Sequence, residues 1–151
     1  MTPTTPITVM VVDDHAVVRA GLTAILEVET DLQIVAEAGN GEQAVQLYVQ
    51  HRPEVVVMDL RMPVLDGLGA LVRLRRDYPQ VRVILLTTYD DAEDVYRGLE
   101  AGASGYLLKD AAPAELVDSI RKVHAGRKAI SPQVAERLAA RVTVPELTDR
   151  E

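Results

Sequence analysis

The chain has 151 residues, a net charge of −7 and no cysteine. This length predicts one domain plus a tail, and a hydrophobic content of 48% without a long apolar run predicts a globular chain with no membrane span. The lack of cysteine excludes disulfides, thiolate metal sites and thiol catalysis, and the cytoplasm is the expected compartment. The acidic balance, with no Phe or Trp, argues against nucleic-acid binding by these residues alone.

The first segments predict a disordered lead-in followed by a strand and a helix. Residues 1–6 have neither the basic nor the apolar region of a signal peptide. Residues 7–12 are continuously apolar or β-branched and predict a buried strand, which ends at Asp13 and Asp14. Apolar residues at helical spacing then predict a helix from His15 to about Glu29.

The second and third strands are predicted from similar runs. Residues 32–38 form the second, and a Gly-Asn-Gly turn opens a helix that ends near His51. The third strand is the run V-V-V-M at 55–58, whose composition is typical of a strand buried on both faces of a parallel sheet. It leads directly to Asp59, and the carboxyl ends of such strands are where ligands bind.

The same alternation continues to Gly126. The predicted elements are a third helix after a loop that contains Pro63, Asp66 and Gly67, a fourth strand over 81–86, a fourth helix from Asp90 to Gly102, a fifth strand over 105–108 and a fifth helix from Pro113 to Gly126. In the third helix, Leu68, Leu71 and Val72 are expected to face inward, and Arg73, Arg75 and Arg76 to be solvated. Ser131 and Pro132 then predict a linker helix to about Val142. Five alternating strands and helices predict a doubly wound α/β sheet covered on both faces.

Polar side chains follow four of the predicted strands and should meet at one edge of the sheet. They are Asp13 and Asp14, Asp59, Thr87, and Lys109. Three carboxylates in one small site repel one another unless a cation lies among them, and oxygen ligands suit Mg²⁺. With Mg²⁺ and the lysine the formal charge is about zero, which favours a phosphoryl group as the bound anion.

Two roles remain open for Asp59, which could be only a metal ligand or also the nucleophile that becomes an aspartyl phosphate. Dinucleotide and P-loop sites are excluded because D-D-H stands where they need a glycine-rich turn. An aspartate-nucleophile phosphohydrolase would need an acid two residues later, where this chain has Arg61.

The motifs resemble the receiver domain of bacterial two-component response regulators over about residues 7–125. They are V-V-D-D-H, V-V-M-D-L-R-M-P-V-L-D-G, I-L-L-T-T and G-A-S-G-Y-L-L-K-D. The resemblance implies a flavodoxin-like five-stranded parallel sheet of order 2-1-3-4-5. It also implies that Asp59 accepts a phosphoryl group from a sensor histidine kinase. Mg²⁺ would be held by Asp14, Asp59 and the main-chain carbonyl of Arg61, with Asp13 acting through metal-bound water.

The resemblance also assigns the anion contacts and the output. Thr87 and Lys109 would contact the phosphoryl group, and Tyr106 would be a switch aromatic whose side chain moves inward when Thr87 shifts. Asp110 stands where many receivers have proline. The cis peptide bond that is usual in the family after this lysine is therefore less expected between Lys109 and Asp110.

These motifs are most similar to those of the NarL/LuxR type of response regulator, whose output domain is a C-terminal helix-turn-helix domain. The expected organisation is therefore a lead-in at 1–6, a receiver domain at 7–126, and a linker helix with the start of a missing DNA-binding domain at 127–151. The implied function is a phosphorylation-activated switch that dimerises, and binds DNA only through the missing domain. It would catalyse its own phosphorylation and dephosphorylation without being a turnover enzyme. The alternatives are a Mg²⁺-dependent aspartyl-phosphate phosphohydrolase and a receiver-like interaction module that never receives phosphate.

Overall fold

Parallel strands and helices alternate along the computed structural model, which describes residues 5–88, 92–136 and 138–139. The strands are β1 (Ile7–Val12), β2 (Leu32–Ala38), β3 (Val55–Asp59), β4 (Val83–Thr87), β5 (Gly105–Leu108) and β6 (Ala129–Ile130). The helices are α1 (Ala16–Glu27), α2 (Gly41–His51), α3 (Gly67–Asp77), α4 (Ala92–Glu100) and α5 (Pro113–His124). No helix in the described ranges is long and apolar enough to cross a membrane.

The sheet order is β2-β1-β3-β4-β5-β6, and every neighbouring pair is parallel. The predicted order 2-1-3-4-5 is confirmed, with one short strand added beside β5. This sixth strand, Ala129–Ile130, pairs with Gly105 and Tyr106. Two residues after a glycine-containing turn are too few to show a strand period, so the sequence analysis assigned them to the linker.

Two apolar layers cover the sheet, because adjacent residues in a strand face opposite sides. On β3, Val56 and Met58 belong to one layer, and Val55 and Val57 belong to the other. All residues of β3 and β4 are buried. Continuous apolar runs therefore form these central strands, as expected for a sheet covered by helices on both faces.

Helix α3 packs two of its three predicted inward residues against the core, since Leu71 is buried and Leu68 is packed against the same layer, and only Val72 differs from the prediction. Ala70 and Leu74 are buried with Leu71, whereas half of Val72 is exposed. The helix begins with Gly67 against the main chain of Asp59 and Leu60, and this contact fixes its rotation. Residues at i, i+3, i+4 and i+7 from the glycine therefore face inward.

The end of the described chain packs onto the domain. Ser131 is buried, its Oγ accepts a hydrogen bond from the Val134 N–H at 3.3 Å, and Val134 is buried in the same layer as Tyr106. Residues 132–136 and 138–139 are helical. The predicted helix start is therefore confirmed, and its predicted end near Val142 lies outside the described residues.

An ion-pair cluster joins α5 to the turn before β2 and has a testable pH dependence. The Arg121 guanidinium lies 2.8 Å from Asp31 Oδ2 and 2.9 Å from Glu29 Oε1. Its hydrogen bond holds the pKa of Asp31 below 3.8, against the opposing effect of burial. A lowered folded-state pKa stabilises the fold above the unfolded-state value, and this stabilisation is lost as pH falls through the folded-state value.

We therefore expect Asp31→Asn to lower the free energy of unfolding at pH 7 by about 0.5 kcal/mol, since the pair is largely solvated. The difference between variant and wild type should shrink towards zero in acid. Urea unfolding at pH 7 and near pH 3 measures both values without adding salt. An undiminished difference at the lower pH would assign the effect to packing rather than charge.

Candidate functional site

The predicted polar residues meet at the carboxyl edge of the sheet. A cavity of about 130 Å³ is lined by His15, Asp59, Leu60, Arg61, Thr87, Thr88 and Lys109. These residues come from the ends of β1, β3, β4 and β5. Adjacent parallel strands end at the same edge, so segments far apart in sequence supply one cavity.

Lys109 provides the positive charge between two buried carboxylates. Its Nζ donates a hydrogen bond to Asp59 Oδ2 at 3.0 Å and lies 3.6 Å from Asp13 Oδ2. Asp13 is fully buried and Asp59 is 3% exposed. The lysine thus neutralises part of a doubly negative centre that water does not reach freely.

Burial dominates the electrostatics of Asp59. It raises the pKa of this carboxyl above 3.8, and the charge of Asp13 acts in the same direction, although Lys109 opposes both. Burial alone would lower the pKa of Lys109, but the hydrogen bond and charge of Asp59 raise it above 10.5. The lysine is therefore a persistent cation in the site.

The acidic cluster has the composition of a site for a hard cation. One ligand atom each from Asp13, Asp14, His15 and Asp59 lies within 4.8 Å of the others. Asp13 Oδ2 and Asp14 Oδ1 are buried and accept no hydrogen bond within the described chain. Lys109 Nζ lies 3.6 Å from Asp13 Oδ2, and His15 Nδ1 lies 3.2 Å from Asp14 Oδ1. A divalent cation with bound water would satisfy the remaining acceptor capacity of these buried oxygens.

Two contacts to the acidic pair were not predicted. The His15 ring lies near both acids, with Nδ1 3.2 Å from Asp14 Oδ1 and 3.4 Å from Asp13 Oδ1. Arg19 Nη1 donates to the Asp13 carbonyl at 2.6 Å. The sequence D-D-H gave a signal for the histidine, whereas the arginine contact depends on the pitch of α1.

Arg61 links the site to α4. Its Nη2 lies 2.6 Å from Asp94 Oδ2, and its main-chain N–H donates to Asp59 Oδ1 at 3.4 Å. The sequence placed Arg61 beside the site but could not identify a partner that lies 33 residues away.

Thr87 and Tyr106 lie on neighbouring strands, with Thr87 at the carboxyl end of β4 and Tyr106 two residues before the end of β5. Thr87 is 2% exposed, and its hydroxyl donates to the Thr88 carbonyl at 3.3 Å. Tyr106 is fully buried, and its hydroxyl donates to the Asp94 carbonyl at 3.1 Å. The tyrosine side chain is therefore inward. No peptide bond in the described chain is cis, and that includes the Lys109–Asp110 bond.

Gly98 leaves the space that the Tyr106 ring fills. A Cβ at this position would lie 2.6 Å from Tyr106 Cε2 and 3.0 Å from Leu85 Cδ1. We expect Gly98→Ala to displace the ring and to lower the free energy of unfolding by about 1 to 2 kcal/mol through overpacking. The Tyr106 ring resonances in NMR spectra report the displacement, and urea unfolding measures the loss.

A second substitution tests the cause. In Gly98→Ala/Tyr106→Leu, the smaller side chain should remove the clash, so the alanine should cost less than it does beside tyrosine. An equal cost in both backgrounds would rule out the ring contact as the cause.

The fold and the residues at its carboxyl edge agree with the receiver class that the sequence motifs resemble. The chain belongs to the family described as the response regulator receiver domain, whose profile matches residues 9–121. It is therefore a member of the two-component signalling proteins, with relatives of the NarL/LuxR type.

Particular relatives agree with this assignment. The chain is 41% identical over 143 residues to response regulator GacA of Pseudomonas viridiflava, covering 95% of this chain and 67% of GacA. It is 36% identical to the structure of a LuxR-family response regulator from Aurantimonas sp. SI85-9A1, with a TM-score of 0.86 and coverage of 92% and 99%. The signal receiver domain of NarL from Mycobacterium tuberculosis is 34% identical, with a TM-score of 0.79 and coverage of 82% and 100%. The predicted fold and family are thus confirmed.

Proposed function

We propose that Asp59 accepts a phosphoryl group from the phosphohistidine of a sensor kinase. The observation that supports this most is the buried Asp59 carboxylate hydrogen-bonded to Lys109 in a cavity that Thr87 also lines. Structural carboxylates are seldom buried beside a second buried acid, whereas an attacking carboxylate and a charge-neutralising lysine serve acyl-phosphate formation. This proposal covers residues 7–126 as the receiver and places an output domain beyond the linker.

Each residue of the site has a separate role in the proposed phosphoryl transfer. An Asp59 oxygen forms a bond to phosphorus as the bond from phosphorus to the donor imidazole breaks, and the imidazole nitrogen keeps the electron pair. Lys109 would neutralise charge on the transferred oxygens, and the Thr87 hydroxyl would donate a hydrogen bond to one of them. The main-chain carbonyl of Arg61 would serve as a ligand of the Mg²⁺ ion.

Asp13, Asp14 and Asp59 would hold Mg²⁺, with Asp13 acting through bound water. Buried Asp13 Oδ2 and Asp14 Oδ1, which accept no hydrogen bond within the described chain, support this assignment. When bound, the ion neutralises charge on the reacting phosphoryl oxygens.

The signal is proposed to leave the site through Thr87 and Tyr106. A phosphoryl group that attracts the Thr87 hydroxyl would stabilise the inward Tyr106 and the α4 position to which it bonds. The outcome would be a homodimer in the cytoplasm and, in a longer protein with an output domain, DNA binding that regulates transcription. Autocatalysed phosphorylation and loss of phosphate are part of this proposal.

The phosphohydrolase alternative gains no support, since Arg61 is paired with Asp94 and supplies no acid.

Incubation with Mg²⁺ and acetyl phosphate should add one phosphoryl group to the chain. Intact-mass spectrometry should show no addition to Asp59→Asn, and at least about a tenfold slower addition without Mg²⁺ because the charge of the site is then uncompensated. Asp66→Asn, which alters a carboxylate that caps α3, is the matched control and should still be modified. An unchanged wild-type mass, or equal labelling of Asp59→Asn, would contradict the assignment.

Size-exclusion chromatography with light scattering tests the dimer. Beryllofluoride, a phosphoryl mimic, should shift wild type from a smaller to a larger species in the presence of Mg²⁺, and Asp59→Asn should not respond. If fully phosphorylated wild type keeps the same oligomeric state, the proposed dimer is contradicted while the phosphorylation of Asp59 still stands.

A further inference from the structure

Four cationic side chains line a cleft at the opposite edge of the sheet from Asp59. The cleft has a volume of about 300 Å³ and lies at the amino ends of β4 and β5. Arg75 comes from α3, Arg82 precedes β4, and Arg127 and Lys128 follow α5. We call this feature the basic cleft.

Hydrogen bonds to main-chain carbonyls hold three of these cations in place. Arg75 Nη1 donates to Pro79 at 2.5 Å, Arg82 Nη1 to His124 at 3.2 Å, and Lys128 Nζ to Ala103 at 3.0 Å. Carbonyl oxygens orient a side chain but do not neutralise it, so the full positive charge of each group remains available.

A glycine makes room for one of them. Gly102 has a φ of +99°, and a Cβ there would lie 2.6 Å from Arg75 Nε. The guanidinium therefore lies directly against the main chain, in a position that a side chain at this site would obstruct. The sequence analysis expected Arg75 to be a solvated helix residue, and its place at the cleft depends on this contact.

The basic cleft carries no compensating acid. Its other lining residues are Pro79, Gln80, Val81, Ser104, Val123 and Gly126, and none is acidic. Within the described chain, none of the four cations is ion-paired with a carboxylate, whereas Arg19, Arg73 and Arg121 each are. Four unpaired cations in one concave site are unusual for a chain of net charge −7.

We propose that the basic cleft binds a small phosphorylated anion of the diphosphate class. Guanidinium groups donate paired hydrogen bonds to phosphate oxygens, and converging cations compensate the charge of a diphosphate. The concave shape and limited volume suit a small ligand. A nucleic-acid backbone is disfavoured, because the remaining surface of this acidic chain would repel a long polyanion.

Titration of the ¹⁵N-labelled chain with pyrophosphate, in EDTA and at constant ionic strength, tests the proposal. Saturable amide shifts should concentrate at residues 79–82, 104 and 126–128, away from Asp59 and Lys109. Shifts that grow linearly and spread over all basic surfaces would show only ionic screening and would overturn the proposal.

Matched variants distinguish binding at a specific site from general attraction to positive charge. Arg127→Gln/Lys128→Gln removes two exposed cations of the cleft and should weaken binding about tenfold, as expected for loss of charge-assisted hydrogen bonds. Arg97→Gln/Lys122→Gln removes the same charge from helices α4 and α5, where these residues pair with Glu93 and Asp118. This control should bind within about twofold of wild type. Equal weakening in both variants would refute a specific cleft.

Two further ligands identify the source of the phosphate. Tighter binding of ADP than of pyrophosphate would indicate a nucleotide, and equal binding would indicate that the phosphate groups alone are recognised. A DNA duplex that shifts the same residues at lower concentration than either would replace the small-ligand proposal with a macromolecular one.

Discussion

Replacing Lys109 with methionine should cost the fold about 2 kcal/mol at neutral pH. The substitution leaves Asp13 and Asp59 buried beside each other without the amine that lies 3.6 Å and 3.0 Å from them. Breaking a buried ion pair leaves an uncompensated charge, which destabilises more than the lost attraction alone. This loss of unfolding free energy is smaller than is usual for a broken buried ion pair, because the lysine side chain is 27% exposed. Urea unfolding at pH 7 without divalent ions measures the loss.

A double variant separates this charge effect from packing. Asp59→Asn should be less destabilising, or even stabilising, in the Lys109→Met background, since it removes one of two buried like charges. Added Mg²⁺ should also restore part of the stability of Lys109→Met, by binding the carboxylates. Lys122→Met removes a lysine that pairs with exposed Asp118 and should change stability by less than about 0.5 kcal/mol. Additive losses in the double variant would exclude the electrostatic explanation.

The central sheet could be predicted because its strands are buried on both faces. A run such as V-V-V-M before Asp59 has few alternatives, and glycines at 102 and 126 mark where helices end. Boundaries shifted where the pattern was weaker: β4 starts at Val83 rather than at residue 81. On α3 only the prediction for Val72 was wrong, since the rotation of the helix depends on how closely Gly67 approaches β3.

The candidate site could be predicted as far as strand order determines it. Residues at the carboxyl ends of neighbouring parallel strands must meet, so Asp13, Asp59 and Lys109 were predicted to lie together before any distance was known. The ion pair between Arg61 and Asp94 was not predictable, since it requires a particular side-chain conformation between the loop after β3 and helix α4. The basic cleft likewise assembles from single residues of separate segments, which no local pattern identifies.

The loop that carries the site is held by two glycine contacts, and this gives the largest expected effect on the fold. A Cβ on Gly67 would overlap the Asp59 carbonyl oxygen and lie 2.9 Å from Leu60 Cα. A Cβ on Gly41 would overlap the Leu65 carbonyl oxygen, to which its own N–H donates at 2.8 Å. Main-chain atoms cannot rotate away as a side chain can. Helices α2 and α3 therefore hold the loop between Leu60 and Asp66 from two directions.

We expect Gly67→Ala to lower the free energy of unfolding by about 3 kcal/mol, and Gly41→Ala to cause a similar loss. Gly67→Ala should also slow phosphorylation of Asp59, because relief of the overlap must shift the strand end that carries the carboxylate. Urea unfolding and the rate of mass gain with acetyl phosphate measure the two effects. Gly69→Ala should cost less, since its nearest contact is the movable Leu65 Cδ1 at 2.6 Å.

Gly21→Ala provides the control for the change in residue type. Apart from its chain neighbours and the backbone of its own helix, no described atom lies within 4 Å of the position of its added Cβ, and the residue is inside α1. Alanine should therefore stabilise the chain by roughly 0.5 to 1 kcal/mol through the backbone entropy of the unfolded state. If Gly21→Ala raises the free energy of unfolding and Gly67→Ala lowers it, the loss comes from the contact between α3 and β3. A stabilising Gly67→Ala would instead mean that this loop can move without disturbing Asp59, and that its close packing is not what positions the carboxylate.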